Sequence, residues 1–249
     1  MSAALRSELL KQRTTRTNTG LFLGLVGLVL FVVVFHGVIL PRAELARRAN
    51  QMTLLGWGTA LGALFAALLG ATSITGEFRY GTIRPTLLAT PRRRDVVRAK
   101  VCASALAGIV LGLVAETLAA SLGSGALAAR GIHLRLDAGD YVLLILGGSA
   151  AAGLWAAIGV GIAALVRNQT ATVVGICAWM LLIETLLLAD LPAAGKFAPG
   201  AAAGALAGAT AAPNPARLLA PAIGALLLAA YATAITAAAS VATTRRDIT

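Results

Sequence analysis

Six apolar stretches, each close to twenty residues long, constrain this chain more than any other feature of its sequence. An α-helix rises 1.5 Å per residue and needs about 20 apolar residues to cross a hydrocarbon core of about 30 Å. Of the 249 residues, 12% are charged, against about 25% in a typical soluble domain. The stretches cover residues 20–40, 53–75, 101–122, 141–166, 171–189 and 218–242. We therefore predict an all-α polytopic membrane protein, with six transmembrane helices in a single domain that covers residues 1–249.

The distribution of basic residues predicts the orientation of these spans. Of the 21 Lys and Arg residues, fourteen lie before span one, between spans two and three, between spans four and five, or after span six. Basic residues favour the cytoplasmic side of a membrane, so we expect both termini in the cytoplasm. Arg42, Arg47 and Arg48 oppose this orientation. We interpret the net charge of +11 as a topology signal and expect no nucleic-acid partner.

The first nineteen residues combine apolar and basic side chains. In "SAALRSELLKQR", Leu5 and Leu9 are four residues apart, and Arg6, Lys11 and Arg13 fall on other faces of a helix. This pattern predicts an amino-terminal amphipathic helix within residues 1–19 that lies in the inner membrane interface. The alternative is a solvated basic leader whose role is limited to topology.

The segment between spans five and six is apolar but contains four prolines. Gly200, Gly204 and Gly208 recur every four residues and would share one face of a helix, where small residues permit close helix contact. We expect short helices that enter the outer leaflet before span six. A flexible Ala/Gly/Pro linker is the alternative.

The loop "TGEFRYGTIRPTLLATPRRRDVVRAK", residues 75–100, carries seven of the 21 basic residues. Thr82 can cap a short helix that runs to about Ala89 and places Ile83 and Leu87 on one face. Pro91 can begin the helix that continues into span three. This apolar face surrounded by arginines favours docking on a cytoplasmic partner. Anchoring of the loop by its charge is the alternative, but it explains neither the apolar face nor the two bends that the prolines mark.

This loop resembles the segment after the second span in type-2 ATP-binding-cassette (ABC) transporter permeases. In that family an acidic residue precedes Gly-Thr, and a proline followed by basic residues leads to a lysine at the start of span three. The corresponding residues here are Glu77, Gly81, Thr82, Pro91, Arg92 to Arg94 and Lys100. The stretch "RSELLKQRTTRT" is similar to the amino-terminal interfacial helix of the family, and "ALVRNQTATVV" is similar to its short loop between spans four and five.

The resemblance implies a permease subunit of an ABC exporter in a bacterial plasma membrane. Its second-to-third loop would act as a coupling helix seated on a separate ATPase subunit, which would bind ATP and Mg, and the permease would work as a dimer with a second copy or a paralogue. An amphipathic compound, a drug or a lipid would be the exported cargo. The implied docking residues are Glu77, Gly81, Thr82, Ile83, Arg84, Leu87, Pro91 and Arg92.

The sequence contains none of the common motifs for nucleotide hydrolysis or membrane proteolysis. GxxxxGK[ST] is absent, so we expect ATP hydrolysis to come from another chain. HExxH, GxSxG and metal-ligand spacings are also absent. We therefore expect this chain to be no enzyme by itself and to bind no cofactor.

Three ionisable residues, His36, Glu116 and Glu184, lie inside the spans, about four to six residues from their predicted outer ends. A charged residue inside a membrane is costly and normally faces protein or water. One hypothesis is that the three line an outward vestibule for cationic or amphipathic cargo. The alternative is that the glutamates are protonated or reach the outer headgroups.

Two other functions fit parts of the sequence. A proton-coupled secondary transporter would use Glu116 and Glu184 as relay groups, but it leaves the loop at residues 75–100 unexplained. A membrane partner subunit that transports nothing, such as an immunity or scaffolding protein, would bind its partner without making that partner's ATPase respond to cargo.

Overall fold

The computed structural model describes residues 3–79, 81, 93–209 and 218–245, and every regular element in these ranges is helical. Residues Trp179–Ile183 form a π-helical turn inside the seventh helix. The helices are α1 (Ala3–Thr14), α2 (Arg16–Ile39), α3 (Arg42–Leu45), α4 (Arg48–Arg79), α5 (Arg93–Ala129), α6 (Ala138–Val166), α7 (Gln169–Asp190), α8 (Pro192–Gly195), α9 (Pro199–Leu206) and α10 (Pro221–Arg245).

Six of these helices, α2, α4, α5, α6, α7 and α10, are long and apolar enough to cross a membrane. Each overlaps one of the six predicted stretches. Several continue well beyond the apolar residues: α5 covers 93–129, whereas the predicted span was 101–122. The apolar run marks the part that lipid requires, but the helix continues wherever polar flanking residues keep their backbone hydrogen bonds and find partners.

Helices α4 and α6 form the centre of the bundle. Of the most apolar 18 residues of each, 72% are buried, compared with 22% for α2 and α10 and 17% for α7. Glycines bring the two backbones into contact, because a Cβ atom at Gly70 would overlap the Ala156 carbonyl and a Cβ atom at Gly159 would overlap the Ala67 carbonyl. Small residues at helix contacts allow this close packing.

The bundle has two ends, which we name by their connections. The loop end carries α1, the flanks of the second-to-third loop, and the turn at Arg167 and Asn168. The far end carries α3, residues 130–137 and α8. Asn168 begins α7 by accepting a hydrogen bond from the Ala171 N–H at 3.0 Å, so two residues are enough to reverse the chain there.

The mixed charges of residues 123–140 predict a solvated loop, but helices α5 and α6 occupy the two ends of this segment. Residues 123–129 continue α5, and residues 138–140 begin α6 with a capping box between Asp137 and Asp140. The buried Gln51 side chain donates to the carbonyl oxygens of Leu45 (3.0 Å) and His133 (2.9 Å), which fixes the connection between the two helices.

The segment before α10 contains the short helices α8 and α9 in place of a flexible linker over residues 192–206. Gly200 and Gly204 belong to α9, but Gly208 does not share their face. It lies beyond the end of α9 at a φ of +67°, a conformation that glycine adopts without steric cost. The predicted helix from Thr82 to Ala89 lies outside the described residues.

Candidate functional site at the loop end

Four charged side chains from three helices meet at the loop end, and we call them the loop-end cluster: Glu8, Lys11, Glu77 and Lys100. Glu8 and Lys11 belong to α1, Glu77 lies in the last turn of α4, and Lys100 lies near the start of α5. Two negative and two positive charges balance one another. The cluster therefore joins both flanks of the second-to-third loop to the amino-terminal helix.

Lys100 is the centre of this cluster. Its side chain is 1% exposed, and its ammonium group donates to Glu8 Oε2 at 2.8 Å, to Glu77 Oε1 at 2.8 Å and to the Ser73 carbonyl oxygen at 3.2 Å. An ammonium group has three N–H donors, so all three are used. A buried charge is stable when it is both paired and hydrogen-bonded, and Lys100 meets both conditions.

Lys11 completes the cluster from the more exposed side. Its ammonium group donates to Glu8 Oε1 and Glu77 Oε1, both at 2.8 Å. Burial by itself would raise the pKa of the Glu8 carboxyl, but Lys100 and Lys11 hold that pKa below its ordinary value of 4.5. Burial by itself would lower the pKa of Lys11, but its hydrogen bonds to Glu77 and Glu8 raise that pKa above 10.5. Both groups therefore remain charged over a wide pH range.

A second layer of neutral polar contacts adjoins the loop-end cluster. Gln12 on α1 donates to Ser104 Oγ on α5 at 3.3 Å, and Ser104 donates to Ser73 Oγ on α4 at 3.4 Å. Asn18, in the first turn of α2, donates to Gln12 Oε1 at 2.6 Å. These contacts connect the same three helices and also α2, so the attachment of α1 does not depend on charge alone.

The predicted docking residues divide between this cluster and the loop itself. Glu77 is buried with 8% exposed, and its Oε2 atom has no hydrogen-bond partner among the described residues. Gly81 has a φ of +67°, the left-handed conformation in which glycine is favoured, so the chain bends there. The remaining predicted docking residues lie outside the described residues: Thr82, Ile83, Arg84, Leu87, Pro91 and Arg92.

Glu116 belongs to α5, faces α4 and α6, and is 1% exposed. The Thr59 hydroxyl donates a hydrogen bond to Glu116 Oε1. Two glycines make room for the carboxyl group: a Cβ atom at Gly148 would overlap Oε1, and a Cβ atom at Gly58 would lie 2.6 Å from Oε2. The fit of this side chain therefore depends on glycine at both positions.

Glu184 and His36 occupy two other places. Glu184 Oε1 accepts hydrogen bonds from Trp179 Nε1 at 2.7 Å and from the Gly200 N–H at 2.8 Å. His36 donates from Nδ1 to the Val32 carbonyl oxygen at 2.8 Å, and its ring centre lies 5.2 Å from that of Trp57. Within the part of the chain that the structure describes, no hydrogen bond joins any two of His36, Glu116 and Glu184.

The three residues lie at different distances from the ends of their helices. Because α5 continues to Ala129, Glu116 lies much further from its helix end than predicted, whereas His36 and Glu184 lie within two turns of Ile39 and Asp190. Glu116 therefore lies further from the end of its helix than the other two residues do. In the same described ranges, no group of three or more His, Cys, Asp or Glu side chains could hold a metal ion.

The sequence did not identify Glu8 and Lys11 as partners of Glu77 and Lys100, or Gly58 and Gly148 as neighbours of Glu116. A signal existed for Glu8, which is the one acidic residue in the first nineteen positions and lies three residues before Lys11. That spacing places both side chains on neighbouring positions of a helix. The signal for the glycines was weak, because glycine is common throughout membrane spans.

The six apolar helices and the buried charge cluster at one end define a multi-pass membrane protein. The family model described as "ABC-2 family transporter protein" matches residues 8–197, which include the whole loop-end cluster, and the chain belongs to this family of type-2 ABC transporter permeases. A search of curated proteins finds no match.

Proposed function

We propose that this chain is the transmembrane permease subunit of an ABC exporter, and that a separate ATPase subunit binds the segment between α4 and α5. The loop-end cluster is the observation that carries the proposal. It joins the two flanks of that segment, at Glu77 and Lys100, both to each other and to α1. A displacement of the segment by a partner would thus reach three helices together.

The centre of the bundle is well placed to receive such a displacement. Helix α4 packs along both α5 and α6 and is the most buried span together with α6. Because packed helices move as rigid bodies, a push at the end of α4 would change how the central helices meet. ATP hydrolysis by the partner would in this way alternate the permease between inward-open and outward-open states.

The predicted docking residues have two roles in this proposal. Ile83 and Leu87 would form the apolar contact with the ATPase, surrounded by Thr82, Arg84, Pro91 and Arg92. Glu77 would act indirectly, because its side chain is buried against Lys11 and Lys100. Gly81 would provide the bend between α4 and the docking segment.

Orientation, assembly and location belong to the same proposal. The excess of basic residues at the loop end favours a cytoplasmic position for both termini and for the ATPase contact. The spans α2, α7 and α10 leave most of their apolar residues uncovered, which is compatible with lipid and with a second permease subunit in a dimer. The bacterial plasma membrane is the proposed location, and an amphipathic compound or lipid is the proposed cargo.

Glu116, Glu184 and His36 remain candidate residues of the transport pathway. Each has its own hydrogen-bond partners, and these differ from those of the other two. A proton relay between Glu116 and Glu184 has less support, because no hydrogen bond between described residues connects their partners. The exporter therefore accounts for more of the molecule than a proton-coupled secondary transporter does.

Purification of the tagged chain from its native membrane, followed by identification of the bound proteins, tests the proposed function. We expect an ABC ATPase to co-purify, and we expect replacement of Ile83 and Leu87 by Ser to abolish its recovery without reducing the amount of permease. Leu23 and Leu30 are exposed apolar residues of α2 and provide the matched pair for control replacements. Recovery of the permease without any ATPase would contradict the proposal.

A further inference from the structure

The far half of α7 contacts the rest of the protein differently from its first half. The first half, Gln169–Ala178, packs against α4 and α6 in the centre of the bundle. The far half, from the π turn to Asp190, packs mainly against the short helices α8 and α9. Helix α9 in turn packs against α10, α6 and α4. Helix α9 thus links the far half of α7 to the bundle, in addition to the continuity of α7 itself and to Met180, which packs against the bundle core.

Glu184 provides a side-chain link across this contact. The carboxyl group is 5% exposed, and one of its oxygens, Oε1, accepts from the Gly200 N–H at 2.8 Å and from the Trp179 indole at 2.7 Å. Gly200 is the second residue of α9, directly after Pro199, which has no N–H. The Gly200 N–H is therefore the first donor of the helix, and helix N-termini attract negative groups.

Two backbone features, Gly200 and the π turn Trp179–Ile183, make this contact possible. A Cβ atom at Gly200 would overlap Glu184 Oε2, so the close approach requires glycine. The π turn Trp179–Ile183 ends at Glu184, whose N–H donates to the Trp179 carbonyl oxygen five residues earlier. In a regular helix, residues five apart do not share a face, but the extra residue in a π turn brings the indole to the carboxyl group.

The opposite side of the short-helix segment is fixed independently of Glu184. The Tyr231 hydroxyl on α10 donates to the Phe197 carbonyl oxygen at 3.1 Å, and a Cβ atom at Gly224 would lie 2.7 Å from the Ala202 carbonyl oxygen. Segment 197–206 therefore contacts α10 on one side and α7 on the other. Loss of the Glu184 contact would leave the first connection in place and release the far half of α7.

We propose that Glu184 is a positioning residue for transport, which holds the far half of α7 on α9 so that the two move as one unit. This inference rests on the proposed function, because the movement that it constrains is that of an ATP-driven permease. It assigns to Glu184 a role that differs from contact with cargo. The residue acts through the Gly200 N–H, and the acceptor oxygen matters more than the negative charge.

Hydrogen exchange on the intact protein in lipid nanodiscs tests the contact, with Glu184→Ala, Glu184→Gln, Gly200→Ala and, as the control, Thr185→Ala. Thr185 is the exposed neighbour of Glu184, and its hydroxyl donates within its own helix to Leu181. We expect amides of residues 184–190, in the far half of α7, to exchange about tenfold faster in Glu184→Ala and Gly200→Ala. Glutamine keeps an acceptor oxygen, so Glu184→Gln should remain within about threefold of the wild type, as should Thr185→Ala.

Transport by the assembled complex separates positioning from cargo binding. We expect the amount of a fluorescent phospholipid analogue moved per ATP to fall at least about twofold in Glu184→Ala and Gly200→Ala, and to be retained in Glu184→Gln. Unchanged exchange in Glu184→Ala would overturn the inference. Equal loss of transport in Glu184→Gln and Glu184→Ala would also overturn it, since the charge would then be required. A missing ATPase partner would contradict the proposed function but would leave the exchange result intact.

Discussion

The loop-end cluster and the Glu116 site both contain buried carboxylates, but they stabilise them in different ways. At the loop end, Glu8 and Glu77 are paired with Lys11 and Lys100, and the charges belong to three different helices. Deep in the bundle, Glu116 has a neutral donor, Thr59, and space provided by glycines. Charge pairing joins three helices at one end of the bundle, whereas glycines allow close packing of the helices around Glu116. Different kinds of substitution should therefore destabilise the two sites: removal of a charge at the loop end, and addition of volume near Glu116.

Removal of the central cation should have the largest effect on stability. In Lys100→Met the volume is nearly kept, but Glu8 and Glu77 lose the ammonium group that is 1% exposed. Breaking a buried ion pair by removal of one partner costs about 3–5 kcal/mol. We expect a large fall in the apparent melting temperature of the purified permease, measured by size-exclusion chromatography after heating.

The matched control for this variant is Lys196→Met at the far end, where the ammonium group lies 5.1 Å from the Phe197 ring centre. Loss of such a contact costs about 0.5–1 kcal/mol at an exposed site. If Lys100→Met and Lys196→Met melt at the same temperature, charge pairing does not hold the loop end together, and the comparison with Glu116 loses its basis.

A substitution that adds volume near Glu116 without changing charge should lower the stability by less than Lys100→Met does. In Gly148→Ala the added methyl group overlaps Glu116 Oε1, and overpacking of this kind costs about 1–3 kcal/mol. The same heating assay should show a lower melting temperature than in Gly125→Ala, where a Cβ atom meets nothing within 4 Å.

A double mutant can assign this effect to the carboxyl group. If Gly148→Ala acts by overlap with Glu116, the loss should shrink when Glu116 is also replaced by Ala, so the two substitutions would be non-additive. Additive losses would show that the Gly148 contact and the Glu116 carboxyl group are independent of each other.

The smallest expected effect is a pH dependence confined to the loop end. The pKa of Glu8 is lowered, so its contribution to holding α1 is complete above 4.5 and is lost as the pH falls through the lower folded value. The pKa of Lys11 is raised, so its contribution is complete below 10.5 and is lost as the pH rises through the higher folded value. Attachment of α1 should therefore be constant between pH 4.5 and 10.5.

A spin label at Leu10, which is 63% exposed on α1, can measure this attachment in a variant that lacks Cys102 and Cys177. The label should become more mobile outside the stated range, and Glu8→Gln should make the acid change smaller. A label whose mobility changes steadily through neutral pH would show that the ion pairs do not control α1.

The sequence predicts the spans well because the requirement is local: each helix needs enough consecutive apolar residues to cross the bilayer. It does not predict their ends, as α5 demonstrates, because continuation past the apolar run depends on partners from other helices. Glu77 and Lys100 were identified by their resemblance to a family pattern. Their partners on α1 were missed, because the meeting of three helices is a property of the tertiary packing.

The link from Trp179 to Glu184 illustrates a different limit. The two residues are five positions apart, a spacing that a regular helix would place on different faces. They meet only because residues Trp179–Ile183 adopt a π turn. A pattern search that assumes 3.6 residues per turn assigns the indole to general packing and therefore misses its hydrogen bond to the carboxyl group.

The rate of ATP hydrolysis by the co-purified complex tests the central claim most directly. We compare Glu77→Gln with Glu44→Gln, the same chemical change at an exposed carboxylate on α3 at the far end. If the loop-end cluster couples the permease to its ATPase, cargo-stimulated hydrolysis should fall about tenfold in Glu77→Gln, a loss of about 1.4 kcal/mol of coupling, and should not change in Glu44→Gln. Equal stimulation in the two variants, at equal amounts of assembled complex, would contradict the account.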